Sequence, residues 1–516
     1  MNRLQIYLEE LQLPIKSVFV ATILIAVGSF LGNPYVNEIL KLDYPLLVTI
    51  KDILLFTGGL VLRAFPYMVF VKLLYTRTHE RNIVVVGIIS YLMFLIMILF
   101  FSPKTLPVTA YSEILKFSIA LDEYKLMNTG YFGLIGIYLI VRRIYHKPMN
   151  VRNANFTKLL DRDTIRLMKS LVASTVFGVA MAFLFPYVIE SVYTILRFIA
   201  SDFTNPMSLF AYSGFERLST LLGLDNIVRN EMWFTSMGGT WNSLENITYV
   251  GDVNIWAAQL KDSVAVIGVG SAGRFTTFYY VINMFAIPAY LFALSFTVTD
   301  KKKKRKAIVT VLLGTALSML TGITYPIEIL LLLTTPVLYI FHLFMVGFIS
   351  AILLGLSITL GFSYLGILSA ANPGNIFDLI AISRKNIINQ QVLIMVLFGV
   401  IVFFIYFYVT RFYYNKVAID ILNIGIKDDE VTNFIERIGG LDNINSFNSL
   451  PTKVTASLKD EDNINTEGLH YQGVTKIIHA REGFILSYGP GSYILQKEVN
   501  KRLKMHEALK DDEDDS

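Results

Sequence analysis

The sequence predicts a mostly α-helical, polytopic membrane protein of about ten spans, followed by a small C-terminal α/β domain. Three observations predict it. Of the 516 residues, 54% are hydrophobic and only 16% charged, against about 25% charged in an ordinary soluble domain. Long apolar runs recur from the N-terminus to about residue 410, as a chain that crosses a bilayer repeatedly requires. The charge also changes sign with the texture: residues 1–415 hold 33 Lys+Arg and 22 Asp+Glu, residues 416–516 hold 12 and 18. The boundary is therefore set near Lys416, with a transmembrane domain over 1–415, an α/β domain over 416–505 and an acidic tail over 506–516.

Taken in order, MNRLQIYLEELQLPIK reads as a short amphipathic helix. The apolar run Ser17–Leu31 has no small-residue cleavage site behind it and reads as a span rather than a signal peptide. Spans are expected at 17–32, 53–75, 83–101, 126–141, 170–197, 275–298, 307–323, 329–347, 348–368 and 391–410. Basic residues gather after even-numbered spans: Arg77 and Arg81, then Arg142 through Arg166, then the run Lys301–Lys306, then Arg411 and Lys416. The positive-inside rule puts both termini in the cytoplasm and makes the 301–306 run a cytoplasmic turn. Cations placed between spans lie where the orientation rule puts them and give no reason to expect nucleic acid.

Residues 198–274 are too polar for one span and too long for a plain turn. All three tryptophans, Trp233, Trp241 and Trp256, fall here among Asn and carboxylates. Two readings stand: aromatic faces beside amides and carboxylates suit sugar rings, and aromatic belts sit at membrane interfaces. The C-terminal domain reads helix 429–438, turn Gly439-Gly440, strands 452–458, 473–479 and 483–488, and helix 492–504. The chain has no cysteine and six scattered histidines, which predicts no disulfide, metal site or cofactor.

Several stretches carry a resemblance. Residues 321–329 read TGITYPIEI and run on through LLLLTTPVLYIFH to His342; GGLVLRAFP (58–66), TGYFG (129–133), GFERLSTLLGL (214–224) and NMFAIPAYLFAL (283–294) follow the same order as motifs of a known family. The chain resembles the glucose-superfamily sugar permeases of the bacterial phosphotransferase system (PTS), whose membrane component is enzyme IIC. Gly439-Gly440-Leu441-Asp442-Asn443-Ile444 is similar to the core of the family's fused IIB domain. The resemblance implies a IIC-type permease in the bacterial plasma membrane, a homodimer with its scaffold half in roughly residues 1–200, and a sugar or polyol as ligand.

It also implies a protein-phosphohistidine–sugar phosphotransferase, and here the chain departs from the pattern. Leu450 stands at the phosphocysteine position, Asp225 and Asn226 at a His-His pair, and Tyr325 at the first Glu of the signature, leaving Glu328. A leucine cannot carry a phosphoryl group. No catalytic residue is therefore assigned. The candidate substrate-binding residues are Glu328, Tyr325, Asp225, Asn226, Trp233 and Trp241. Glu328 has two readings, a ligand-facing carboxylate or one satisfied by backbone at the helix break that Pro326 makes. The expected function is a sugar permease that does not phosphorylate. Two alternatives stay open: phosphotransfer with a IIB domain in trans and Asp225 as base, and a non-transporting sensor whose segment 430–505 docks a PTS or other cytoplasmic protein.

Overall fold

A computed structural model describes residues 11–32, 44–78, 80–111, 125–147, 162–261, 272–296, 301–362, 373–383, 386–417, 428–450, 453–471, 474, 476–480, 483–488 and 492–514. The N-terminal part is helical: α1 (Gln12–Gly32), α2 (Pro45–Thr78), α3 (Asn82–Phe101), α4 (Phe132–His146), α5 (Arg162–Ala200), α6 (Pro206–Leu222) and α7 (Asp225–Phe234). A hairpin, β1 (Thr240–Asn242) and β2 (Thr248–Val250), leads to α8 (Asp252–Lys261). Then come α9 (Thr277–Ser295), α10 (Lys301–Thr321), α11 (Tyr325–Thr334), α12 (Pro336–Gly355), α13 (Ile376–Ser383) and α14 (Asn386–Val417).

Seven of the described helices are long and apolar enough to cross a membrane: α1, α2, α3, α5, α9, α12 and α14. This falls short of the ten expected. The run 126–141 yields only the 15 residues of α4, and the apolar part of α10 is as short. Segments 329–347 and 348–368 are not two spans. Thr335 separates the ten-residue α11 from α12, and α12 runs through the expected boundary to Gly355. Ser357, at φ 59°, ends it. The basic run 301–306 is the start of α10 rather than a turn. Of the expected amphipathic N-terminal helix, residues 1–10 lie outside the described residues, and Gln12 already belongs to α1.

Two irregular stretches shape the interior. A π turn at Ile282–Ala286 interrupts α9 just before Pro288, which has no N–H to offer and whose ring crowds the preceding turn. Within it the Asn283 amide donates to the carbonyls of Pro373 (3.0 Å) and Gly322 (3.3 Å), and Ser318 Oγ donates to Asn283 O at 2.8 Å. Residues 358–362 are irregular and buried beside α9. Their backbone finds partners in side chains, as buried irregular chain must: Leu360 N donates to Thr277 Oγ1 at 2.9 Å and Tyr280 OH donates to Gly361 O at 2.7 Å. Gly361 lies against the fully buried Trp256 indole, where a Cβ has no room.

The C-terminal part has its own core, including Val431, Phe434, Phe447, Leu486 and Leu495. Helix α15 (Asp428–Arg437) precedes β3 (Ile444–Leu450) and β4 (Lys453–Leu458); α16 (Thr466–Tyr471), β5 (Lys476–Ala480), β6 (Gly483–Ser487) and α17 (Ser492–Asp514) follow. The sheet is antiparallel in the order β3-β4-β6-β5. Strands β4, β5 and β6 lie at the three expected positions, with residues 452, 473 and 475 outside the described set, while β3 and α16 were not expected.

The Gly-Gly-x-x-Asn motif has a local explanation. Gly439 (φ 94°) and Gly440 (φ 86°) both take the left-handed region that favours glycine. The turn they make brings the buried Asn443 back onto the chain. Its Nδ2 donates to Ile438 O and Asp460 O, both at 2.9 Å, and its Oδ1 accepts from Asp460 N at 2.8 Å. Asn443→Ala is expected to destabilise the C-terminal part by about 2–3 kcal/mol, at roughly 1 kcal/mol per bond. Chemical denaturation followed through the fluorescence of a probe on α17 would read the loss.

Candidate functional site

Among the described residues, a buried set of ion pairs and hydrogen bonds joins four helices of the membrane part. Asn205 caps α6, its side chain accepting from Met207 N at 2.9 Å, and Pro206 fits the first turn. One turn before its end, α6 presents Glu216 and Arg217, both buried. Gly223, at φ 70°, closes α6, with Leu224 N reaching back to Ser219 O at 2.9 Å. The reversal lets α7 begin at Asp225, on the same side as Glu216.

Glu216 is the hub. Its Oε1 accepts from Arg229 Nε at 2.6 Å and from Tyr279 OH at 2.7 Å, and its Oε2 lies 3.5 Å from Arg217 Nε. Arg229, on α7, also reaches Asp225 Oδ2 through Nη1 at 3.1 Å, an i,i+4 pair. Arg217 Nη1 donates to Glu328 Oε1 at 2.8 Å. Thr324 Oγ1 donates to the same oxygen at 2.5 Å. The Arg217 guanidinium sits over the Tyr279 ring at 4.5 Å, with Arg229 at 5.9 Å from that ring. Arg217 Nη2 is buried and makes no hydrogen bond among the described residues. A buried donor of that kind is a natural place for a hydroxyl-rich ligand.

Aromatic groups surround the set. Tyr339 OH donates to Arg217 O at 3.3 Å, and His342 Nδ1 lies 3.0 Å from Tyr406 OH. Trp233 is buried, packing edge-on to Tyr279 and beside Phe362. Tyr325, at the start of α11, places its hydroxyl 2.8 Å from that of Tyr131 and meets Phe65 edge to face at 5.9 Å. Tyr131 N also donates to Leu222 O at 2.9 Å. Its ring lies on Gly223. These contacts form a seam between the helices α2 and α4 and the ion-paired set.

The expected site residues therefore divide. Glu328 and Asp225 belong to the ion-paired set, Tyr325 and Trp233 flank it, and Asn226 points to the exposed side of α7. Trp241 lies on the β1–β2 hairpin against Tyr249, with no bond to the set. Leu450 ends β3, directly opposite Lys453 on β4, so its surroundings are the end of a hairpin rather than a free loop. Sequence reasoning passed over Glu216, Arg217, Arg229 and Tyr279. Glu216-Arg217 was visible as a charge pair inside an apolar stretch, and Arg229 as the residue one turn beyond Asp225.

Long apolar helices around a buried polar set, with helices broken beside it, define a multi-pass membrane protein with a polar site in its interior. The chain belongs to the family described as phosphotransferase system, EIIC, which it matches over residues 9–347. It is similar to a PTS system glucoside-specific EIICBA component of Staphylococcus carnosus (strain TM300), at 26% identity over 379 residues. That match covers 71% of this chain and 52% of the relative, so the chain spans about half the length of that protein.

Proposed function

We propose that this chain is a PTS-type permease that binds a sugar or related polyol and passes it across the membrane without phosphorylating it. The observation that carries the reading is the buried set Glu216–Arg217–Arg229–Glu328 with Tyr279, which offers paired donors, acceptors and an aromatic face, the combination that holds a hydroxylated ring. In this reading residues 1–415 are the permease domain, 416–505 a IIB-like cytoplasmic domain and 506–516 a solvated tail. The protein works as a homodimer in the bacterial plasma membrane, with both termini in the cytoplasm. Absence of phosphotransfer is supported by the lack of any cysteine and by Leu450 at the hairpin end.

Uptake of radiolabelled neutral sugars, including both methyl glucosides, into proteoliposomes tests the reading. Unmodified sugar should accumulate to equilibrium. Sugar phosphate formed when only the general PTS phosphoryl carriers are added would overturn it. Leu450→Cys is expected to leave phosphotransfer at the background of the parent protein, because transfer depends on positioning and charge stabilisation at the acceptor as well as on the nucleophile. A single variant that phosphorylated sugar at a readily measured rate would show that the membrane site had kept the chemistry.

A further inference from the structure

The buried set holds three carboxylates, Glu216, Asp225 and Glu328, against two guanidiniums, Arg217 and Arg229. His342, the other titratable ring beside it, bonds Tyr406 and forms no ion pair among the described residues. One negative charge is therefore uncompensated in a low-dielectric interior, where such a charge is expensive. The three acids are not held equally. Glu216 takes Arg229, Tyr279 and Arg217. Glu328 takes Arg217 and Thr324. Asp225 has a single ion pair, at 3.1 Å. Its side chain is 21% exposed, whereas those of Glu216 and Glu328 are 0% and 2% exposed.

The groups that face Asp225 are Arg229 on its own helix, Glu216 from α6, and the hydroxyls of Tyr131 and Tyr325. Glu231 lies toward the far end of α7, bonded to Thr109 and Thr235, and Asp252 of α8 is bonded to Gly273 N. Water at the exposed face of Asp225, together with the α7 N-terminus, keeps the excess charge tolerable while the site is open. A neutral polyol that enters displaces that water and removes the solvation.

We propose that the permease binds its neutral ligand together with one proton, carried on Asp225, so that the transmembrane proton gradient drives uptake. This rests on the sugar-permease reading above. On ligand entry a hydronium ion on the entry side gives up its proton, an O–H bond forms on the Asp225 carboxylate, and the set becomes neutral. On ligand release the O–H bond breaks and the proton passes to water on the other side. Nothing is oxidised or reduced. By linkage, the ligand binds more tightly as pH falls, and ligand binding draws protons from solution.

The full chain in liposomes tests this with two readouts. Infrared difference spectra between about pH 5 and about pH 9 should show the C=O stretch of a protonated carboxylic acid. The band should vanish in Asp225→Asn, shift in Asp225→Glu, and grow when ligand is added. Arg229 keeps Glu216 in both variants, so the fold is retained. In vesicles loaded with a pH-sensitive dye and offered a panel of neutral hexoses, hexitols and methyl glucosides, uptake should acidify the lumen. One proton per ligand allows an inward gradient of about one pH unit to sustain up to about tenfold accumulation. In Asp225→Asn any remaining uptake should be the same with and without the gradient and should leave the lumenal pH unchanged. A wild-type spectrum without an Asp225 band overturns the proposal whichever sugar is used. Uptake that ignores the gradient overturns it and leaves the sugar reading standing. No uptake of any member of the panel overturns both.

Discussion

Arg217→Met is expected to lower the stability of the membrane part by about 3–5 kcal/mol, the loss seen when one partner of a buried ion pair is removed. Arg217 is the cation that Glu328 pairs with and that lies beside Glu216, and all three side chains are almost wholly buried. Without it Glu328 keeps only the Thr324 hydroxyl. The set would then hold three carboxylates against one guanidinium. Thermal unfolding in detergent, followed by loss of monodisperse protein, measures the effect. The double variant Arg217→Met with Glu328→Gln should recover part of it, because it removes the stranded charge. An Arg217→Met protein as stable as the parent would show that Glu328 is satisfied by something other than Arg217, which would reopen its reading as a ligand-facing group.

Tyr325→Glu is expected to be the second most damaging change. It breaks the bond to Tyr131 and the edge contact with Phe65, and it adds a carboxylate to a set already one negative charge in excess. The loss should be about 3 kcal/mol or more at neutral pH, while Tyr325→Phe, which forfeits only the hydroxyl bond, should lose about 1 kcal/mol. The pH dependence has a definite sign. A carboxyl buried beside like charge has a folded-state pKa above its unfolded value, so the native state holds its proton more tightly. The penalty is then present at high pH and fades as pH falls through the range where the new acid protonates. Melting curves of parent and variant that converge on acidification support this. Curves that stay parallel would trace the damage to lost packing.

The broad architecture was legible because membrane burial writes itself into long apolar runs, and because the texture of the sequence changes ahead of the strand-containing C-terminal part. Glu328 was legible for a related reason, since a carboxylate in such a run is too costly to be idle. Helix ends were less so. Helix α5 starts at Arg162, eight residues before the expected 170, because its first turns are polar and carry no apolar signal. The division of 329–368 was misjudged because uniform hydropathy hides the breaks at Thr335 and Ser357, which are set by backbone geometry. Strand β3, Ile-Asn-Ser-Phe-Asn-Ser-Leu, has weak strand propensity and exists through pairing with β4. Arg229 and Tyr279 escaped notice because their partner, Glu216, is 13 and 63 residues away.

The way the ion pairs are shared among helices also determines which parts of the molecule can slip past one another. Glu216 on α6 ties Arg229 on α7 and Tyr279 on α9, and its neighbour Arg217 ties Glu328 on α11. Shearing α6, α7 or α11 against the others strands a charge in a dry interior, at several kcal/mol, and shearing α9 takes a hydrogen bond from the buried Glu216 carboxylate. The Tyr131–Tyr325 and Tyr131–Leu222 bonds, by contrast, join neutral groups. Exchanging a neutral bond for one to water costs on the order of 1 kcal/mol. The molecule thus has a strong weld and a weak one side by side. Any reopening of the interior to the opposite side of the membrane is directed to the weak one, with α6, α7, α9 and α11 carried along as a single block.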